Sequence, residues 1–456
     1  MSFSRQLGLH LVKKKRFGPV FATQFLNAFN DNLYKNAMVL FVVYQVMSNE
    51  HAETWFSALA TGIFTIPFVT LSALSGQLAD AYDKARIIRI VKICEIGIMV
   101  VGAAGLMLAL WAIQGGQHDV WSTWMPIVLM LLALFAMGVH STFFGPIKYA
   151  ILPQHLKRDE VLAGTGLMEA GTYLAILAGT ILSGIISVPA AAISVLAIAL
   201  VGYWMSLKIP AAPPFESGHR IDWNVLRSSI RLVNATLHVP RLVMAIIAIS
   251  FFWTIGAVLF ILFPPLVKNV LTSDKEVASV FLGVFSIGVS IGAVLINRML
   301  KGEVSAKWAA PSVLLMGACI IGFQQVALGW TPAPEGTYYQ IWEFLSQPAT
   351  PLLLLFLLGI AAGGGMFVVP LYAFLTTAVK RGEASRTIAA NNIVNALAMV
   401  VGSLISVGLS LLGVATLPQL IFAAAMCVIS AWLAWKLHKV ADSGKVFEDR
   451  ALPDDV

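Results

Sequence analysis

The stretch FGPVFATQFLNAFNDNLYKNAMVLFVVYQV, residues 17–46, decides the fold class of this chain. It is long and apolar enough to cross a bilayer, yet its polar side chains are a carboxylate, an ammonium group and several amides: Asn27, Asn30, Asp31, Asn32, Lys35 and Asn36. An ionisable group at the centre of a membrane helix costs about 2.5–3.5 kcal/mol on insertion scales, and it is tolerated where the helix faces a bundle interior or a water-filled cavity. The stretch therefore predicts a membrane protein whose first helix lines something polar.

The composition of the whole chain agrees with this prediction. Of the 456 residues, 58% are hydrophobic and only 12% are charged, whereas a soluble domain has about 25% charged residues. The three cysteines (Cys94, Cys319 and Cys427) lie in apolar stretches without metal-ligand or disulfide spacing, so we expect packing roles and no metal. No cofactor-binding or catalytic motif occurs, and the soluble segments are too short for an enzymatic domain.

Twelve segments are long enough to span a membrane, since a spanning helix needs about 20 mostly apolar residues. Their predicted bounds are 18–46, 55–79, 87–113, 122–147, 160–187, 189–208, 242–268, 277–299, 308–330, 350–378, 385–411 and 414–437. The longest connection splits them six and six. The predicted domains are an N-terminal six-helix half (1–208), a linker (209–241), a C-terminal six-helix half (242–438) and a tail (439–456).

The linker has two parts with different sequence patterns. Prolines open it, and then Trp223, Leu226 and Ile230 recur at helical spacing beside Arg227 and Arg231. This pattern predicts a short amphipathic helix, with Asp222 as a candidate N-cap. The helix either lies on the cytoplasmic leaflet or packs under the bundle as a solvated linker, and the sequence leaves both interpretations open.

Charge is distributed unequally between the loops. Lysines and arginines concentrate on the tails and the even-numbered loops, with Lys268 and Lys275 as exceptions. The odd-numbered loops carry the acidic residues Glu50, Glu53, Asp119, Asp274, Glu276, Glu335 and Glu343. Because basic loops stay in the cytoplasm, both termini are predicted to be cytoplasmic. The net charge of +7 then reflects topology and lipid headgroups, and no nucleic-acid partner is expected.

A weak internal repeat indicates a duplicated transporter. GPIKYA at 145–150 ends span four, and VPLYA at 369–373 lies at the corresponding point of span ten. In the spans that follow, Glu169 of span five matches Asn395 of span eleven.

The loop GQLADAYDKAR at 76–86, between spans two and three, resembles the signature loop of the major facilitator superfamily. Its Gly76, Asp80, Lys84 and Arg86 are predicted to form an inner latch, in which Asp80 pairs with basic residues and caps a neighbouring helix. Lys148, at the inner end of span four, completes the predicted gating set.

Asp31 and Lys35 are the leading candidates for a substrate site. They are four residues apart, so they share one helix face and can pair. The pair either neutralises charge so that the helix can insert or meets a charged headgroup, and Asn27 and its neighbouring amides favour the second interpretation. Glu169 is either a gating carboxylate or a partner for Lys148.

Other polar residues within the spans have more structural interpretations. Lys92 and Glu95 are predicted to pair near the inner interface, and His140 is expected to be a packing residue. Span eleven contains three asparagines, of which at least one is expected to hydrogen-bond between helices; they are Asn391, Asn392 and Asn395.

Three stretches together resemble the bacterial lysophospholipid transporter family, a branch of the major facilitator superfamily. They are QFLNAFNDN at 24–32, GPIKYAIL at 145–152 followed by GLMEA at 166–170, and GGMFVVPL at 364–371. The resemblance implies an all-α integral membrane fold of twelve transmembrane helices in two pseudo-symmetric six-helix halves. It also implies transport of lysophospholipids, chiefly lysophosphatidylethanolamine, from the outer to the inner leaflet of the bacterial inner membrane.

The family's activity suggests how the candidate residues are used. The headgroup is expected at Asp31, Lys35, Asn27, Glu169 and Asn395. The expected partners are the lysophospholipid and membrane lipids, a cytoplasmic acyltransferase stays open as a further partner, and the protein is expected to be a monomer without a cofactor. Two residues depart from the family pattern: Lys35 stands where only apolar residues are expected, and Phe260 stands in span seven where a basic residue is expected.

Two alternatives stay open at this point. The first is a proton-coupled exporter of drugs or other amphiphiles, with Asp31 or Glu169 as the proton site. The second is a membrane scaffold that recruits an acyltransferase through 209–240 or the tail. A scaffold has no need of charges at membrane depth, which favours a transporter.

Overall fold

The structure is a computed structural model of the chain and describes residues 11–47, 49–116, 120–156, 161–213, 221–300, 305–377 and 384–441. Within the helices some side chains also lie outside the described part, among them those of Asp80 and Glu169. The helices are α1 Gly18–Phe41, α2 Glu50–Ala81, α3 Lys84–Gln114, α4 Val120–Ala150, α5 Leu152–His155, α6 Val161–Ile185, α7 Val188–Ser206, α8 Val225–Leu237, α9 Pro240–Asn269, α10 Lys275–Met299, α11 Ala309–Leu328, α12 Ile341–Ser346, α13 Thr350–Thr377, α14 Ala384–Leu411 and α15 Thr416–Ala441. A π-helical turn, Val42–Val46, continues α1.

The predicted fold class is confirmed. Twelve of the described helices have 19 residues or more, and each overlaps one predicted span. Ten of them are apolar enough over their described residues to cross a membrane. The other two are α1, which carries Asp31 and Lys35, and α6, in which the described apolar stretch is Leu174–Ile185. The chain is a multi-pass membrane protein.

Local sequence explains where several helices begin. Ser187 caps α7 by accepting a hydrogen bond from the backbone N–H of Ala190, and Pro189 follows in the first turn, so only two residues separate α6 from α7. Asp274 caps α10 in the same way. In the linker, Asn224 accepts from the N–H of Arg227, whereas Asp222 accepts from the N–H of Asn224. The expectation that Asp222 caps α8 was therefore wrong, because Asn224 is one residue from the helix start.

The described contacts group the chain into two units. Unit 1 comprises Met1–Phe41 and Thr70–Ser228. In it, α1 packs against α6 and α7, and α3 packs against α4 and α7. Gly179 allows a close approach of α6 to α1, because a Cβ atom at this position would collide with the carbonyl oxygen of Phe29.

Unit 2 comprises Val42–Val69 and Ser229–Val456. In it, α9 packs against α14 and α15, and α13 packs against α10 and α11. Gly292 and Gly365 bring α10 and α13 close together, since a Cβ atom at either would collide with a backbone carbonyl of the other helix. Unit 2 includes the first part of α2, which the sequence-based division assigns to the N-terminal half; the domain bounds derived from the sequence stay a prediction.

Candidate functional site

Asp31 lies at the centre of a buried polar network in unit 1. Its side chain is only 7% exposed. The Oδ2 atom accepts hydrogen bonds from Asn27 Nδ2 at 3.1 Å and from Ser141 Oγ of α4 at 2.5 Å. Among the described residues, no donor reaches the buried Oδ1 atom. Asp31 is therefore held in a fixed orientation with one carboxylate oxygen still able to accept.

Lys35 lies one helical turn beyond Asp31, and its side chain is half-buried. The two charges are close enough to attract each other. This arrangement agrees with the expectation that Asp31 and Lys35 share one face of the first span. Their role in substrate binding stays a prediction.

A second pair of charges, Lys92 and Glu95 of α3, is joined to Asp31 through Asn27. Both side chains of the pair are fully buried and form an ion pair. Lys92 Nζ donates to Asn27 Oδ1 at 3.4 Å, and Asn30 Nδ2 donates to Glu95 Oε1 at 2.8 Å. Asn27 thus contacts both Lys92 and Asp31. The predicted pairing is confirmed, and the pair lies fully within the network.

His140 of α4 extends this network. Its Nε2 atom is 3.4 Å from Glu95 Oε2, and its ring stacks on Phe144 with the ring centroids 6.5 Å apart. The residue is 4% exposed, so it packs in the interior as expected, and it also faces a carboxylate.

A glycine makes room for the buried ammonium group. A Cβ atom at Gly202 of α7 would lie 2.9 Å from Lys92 Cε and 3.0 Å from Lys92 Nζ. The network therefore depends on close packing of α3 against α7.

Unit 2 contains a polar network of neutral side chains. Asn395 of α14 is buried, and its Oδ1 accepts from Ser250 Oγ at 2.8 Å. The hydroxyl of Tyr372 on α13 accepts from Trp253 Nε1 at 2.8 Å and from Asn395 Nδ2 at 3.4 Å. The predicted site residue Asn395 is thus joined to three residues on α9 and α13 that the sequence did not single out as partners.

The predicted latch is only partly described. Gly76 is half-buried in α2, Lys84 is buried at the start of α3, Arg86 is exposed, and Lys148 is half-buried near the end of α4. The side chains of Asp80 and Glu169 lie outside the described part, so their predicted roles stay predictions.

Sequence reasoning missed the role of Asp83 in this loop. Its Oδ1 accepts from the backbone N–H groups of Ala85 and Arg86 and so caps α3. The same atom accepts from Ala212 N at 3.3 Å, and Arg89 Nη2 donates to Ile209 O at 2.7 Å. The start of the linker is therefore attached to the start of α3. An acidic residue directly before a helix start was the available signal.

Curated relatives are similar over most of the chain. A lysophospholipid transporter of Cronobacter sakazakii is 26% identical over 426 residues, which cover 91% of this chain and 94% of the relative. A lysophospholipid transporter of Escherichia coli O157:H7 is 24% identical over 387 residues, which cover 82% of this chain and 83% of the relative.

Solved structures of transporters share the fold. A D-xylose–proton symporter superimposes with a TM-score of 0.65 at 13% identity and covers 92% of this chain and 96% of its own. A bacterial homologue of the iron transporter ferroportin, in an inward-facing state, superimposes with a TM-score of 0.66 at 11% identity and covers 94% of this chain and 98% of its own. At these identities the likeness concerns the fold alone.

The family model of the Major Facilitator Superfamily matches residues 20–403, which is most of the chain. The match includes the helices that carry the charged network of unit 1 and the neutral network of unit 2. Its curated relatives and structural neighbours are transporters. The chain therefore belongs to the major facilitator superfamily.

Proposed function

We propose that this protein is a secondary transporter that moves lysophospholipids, chiefly lysophosphatidylethanolamine, from the outer to the inner leaflet of the bacterial inner membrane for re-acylation. The similarity to lysophospholipid transporters over most of the chain supports the substrate class. In this proposal the protein acts as a monomer with both termini in the cytoplasm. The alternating charge of the loops supports that orientation.

The observation that carries the proposal is the buried carboxylate of Asp31 with an unused acceptor atom. An ethanolamine headgroup presents an ammonium group, which suits Asp31 Oδ1, and a phosphate, which suits the ammonium group of Lys35. The network contains two carboxylates, Asp31 and Glu95, and two ammonium groups, Lys35 and Lys92. Among the described residues these four charges balance, so a zwitterion can bind beside them without adding a net charge.

Unit 2 offers groups that suit the less polar parts of the molecule. Between Leu242 and Val267, α9 has no charged residue. The neutral network of Ser250, Tyr372 and Asn395 provides hydrogen-bonding groups for a glycerol hydroxyl or an ester. An amphiphile with one acyl chain needs both a charged and an apolar environment, and the composition of the two units supports such a substrate.

The test is inward movement of labelled lysophosphatidylethanolamine in bacterial spheroplasts that lack their own transporter. Asp31→Asn keeps the size of the side chain and one acceptor oxygen, but it replaces the other oxygen with a donor and removes the charge. We expect uptake to fall at least ~30-fold, because losing one partner of a buried charge pair costs about 2–5 kcal/mol.

The matched control is Asn32→Ala, one residue away on the same helix. The Asn32 amide donates to the carbonyl of Ala28 in its own helix, at 2.8 Å, so its loss leaves the network intact. Normal uptake by Asp31→Asn at equal expression would overturn the headgroup assignment. Absence of uptake by the wild-type protein would overturn the substrate class.

A proton-coupled exporter of amphiphiles is the second candidate function. The contact between His140 and Glu95 favours it, because the proton relays of pumps and transporters consist of Asp, Glu and His side chains within membrane segments. Outward flux that depends on a pH gradient, without lysophospholipid uptake, would support this candidate over the first.

A further inference from the structure

Lys268, at the end of α9, is one of the two basic residues that break the charge pattern of the loops. The residue is 7% exposed. Its ammonium group donates to Glu53 Oε1 at 2.5 Å, to the carbonyl oxygen of Val43 at 2.6 Å and to that of Met47 at 3.3 Å. The charge that is unusual for its loop is therefore neutralised by a partner in α2.

The rest of this cluster also joins the chain around residue 50 to the end of α9. Asn269 Nδ2 donates to the second carboxylate oxygen of Glu53. The Tyr44 ring lies 5.9 Å from Lys268 Nζ, and its hydroxyl donates to Ser273 O at 3.0 Å. These contacts use both oxygens of Glu53, so the buried carboxylate is fully paired.

Two acceptors of Lys268 lie in or next to the π-helical turn Val42–Val46: the carbonyl of Val43 is within the turn, and Met47 directly follows it. In this turn the N–H of Met47 bonds to the carbonyl of Val42, five residues back. Such π-helical turns occur frequently at functional sites.

A second group of contacts holds the same segment to the start of α15. Thr54 Oγ1 and Thr416 Oγ1 are 3.2 Å apart, and a carboxylate oxygen of Glu50 accepts from the backbone N–H of Thr416. Both threonines are buried. Residues 43–54 are thus attached at two separate places, to the end of α9 and to the start of α15.

In sequence, this segment belongs to the first two spans, yet its contacts are with spans seven and twelve. The unit boundary accordingly falls within α2, between Val69 and Thr70. A permanent contact here has no need of charge, because apolar packing of similar volume is as stable as a buried ion pair or more so. Polar partners, by contrast, regain water when they separate, so an ion pair suits a contact that must open.

We propose that the Glu53–Lys268 ion pair, with Asn269 and the carbonyls of Val43 and Met47, is a lock that holds residues 43–54 against α9 and α15 in one state of the transport cycle and releases them in another. By the loop charges, it lies on the side predicted to be extracytoplasmic. The proposal rests on the protein being a transporter and does not depend on the substrate.

The first experiment measures whether the lock opens, and it needs no substrate. In a chain with Cys94, Cys319 and Cys427 replaced by alanine, Thr54→Cys places one thiol at a position that is 1% exposed. Its labelling by a maleimide is followed in membranes. Lys268→Met should increase the labelling rate about tenfold or more, since the closed state loses its ion pair.

Two further variants make this result specific. Glu53→Gln/Lys268→Met removes both charges and should label more slowly than Lys268→Met alone, because no unpaired charge remains. Lys307→Gln removes an exposed lysine of unit 2 and should label at the wild-type rate. Equal labelling of the wild-type protein and Lys268→Met, with Thr54→Cys protected in both, would overturn the lock.

The second experiment closes the lock covalently. Thr54→Cys/Thr416→Cys should form a disulfide on oxidation, block transport by at least about tenfold and recover on reduction, since the segment can no longer separate from α15. The control is Gly359→Cys beside the native Cys319, where a Cβ atom at residue 359 would lie 3.5 Å from Cys319 Cβ, within disulfide range. That bond joins α11 to α13 and should leave transport unchanged.

The outcomes of the two experiments separate the two proposals. Full transport by the oxidised Thr54→Cys/Thr416→Cys protein, with the disulfide confirmed by mass, would overturn the lock. Failure of the wild-type protein to take up lysophosphatidylethanolamine would overturn the proposed substrate, and the labelling rates alone would then decide about the lock.

Discussion

Units 1 and 2 each contain a buried polar network, but one network is charged and the other is neutral. In unit 1, Asn27 connects Asp31 to the Lys92–Glu95 ion pair, and Asn30 donates to Glu95 of the same pair. In unit 2, the members are Ser250, Trp253, Tyr372 and Asn395, which are joined by hydrogen bonds between neutral groups. The two networks therefore differ in charge, although both are built from side chains of packed helices.

This difference indicates a division of tasks. A buried charge costs far more than a buried amide unless it is paired. Unit 1 retains several such charges within its membrane helices, whereas the network around Asn395 in unit 2 is neutral and the buried Glu53–Lys268 pair of unit 2 lies at helix ends. We expect that the charges serve recognition of a charged headgroup.

The largest effect on stability is expected for Glu95→Gln in unit 1. The introduced amide can still accept from Asn30 through its oxygen, but the fully buried Lys92 loses its counter-charge. Breaking one side of a buried ion pair costs about 3–5 kcal/mol. Thermal unfolding of the purified protein should show this loss, and Lys92→Met/Glu95→Gln should recover part of it. A double variant that is less stable than Glu95→Gln would contradict the pairing.

A smaller effect is expected for Gly202→Ala, which acts on the same network by packing. The added methyl group would press against Lys92 Cε and Nζ, and overpacking costs about 1–3 kcal/mol. Gly97→Ala on α3 is the matched control, because nothing lies within 4 Å of a Cβ atom there. The control should be neutral or slightly stabilising. Equal stability of the two variants would show that Lys92 does not depend on Gly202.

The smallest effect is expected in the neutral network. Tyr372→Phe removes the acceptor of the Trp253 indole N–H and of the Asn395 amide. Hydrogen bonds between helices in membrane proteins contribute about 0.6 kcal/mol on average, so stability should fall by roughly 1 kcal/mol. Transport should stay within a few-fold of the wild-type rate. A loss of uptake as large as that of Asp31→Asn would end the contrast between the units.

Much of the fold was predictable because it depends on local properties of the sequence. The length and polarity of each apolar segment predicted twelve spans, and the four-residue spacing placed Asp31 and Lys35 on one face. The three-residue spacing of Lys92 and Glu95 predicted their ion pair, which is confirmed. Each of these inferences concerns residues within one helix.

The contacts between helices were not predictable in the same way. Asn27 and Lys92 are 65 residues apart, and Ser250 and Asn395 are 145 apart. Nothing in the local pattern says which polar side chains of two helices meet. The same holds for Lys268: the sequence marked it as an exception among the loop charges, but only the structure pairs it with Glu53.

The most direct test of the account is the headgroup preference of the purified protein. Equilibrium binding of lysophosphatidylethanolamine is compared with binding of lysophosphatidic acid, which has the phosphate but no ammonium group, for the wild-type protein and Asp31→Asn. We expect the wild-type protein to bind lysophosphatidylethanolamine at least ~10-fold more tightly, which corresponds to about 1.4 kcal/mol, and Asp31→Asn to lose this preference. The same preference in both proteins would contradict recognition of the headgroup by the charged network of unit 1.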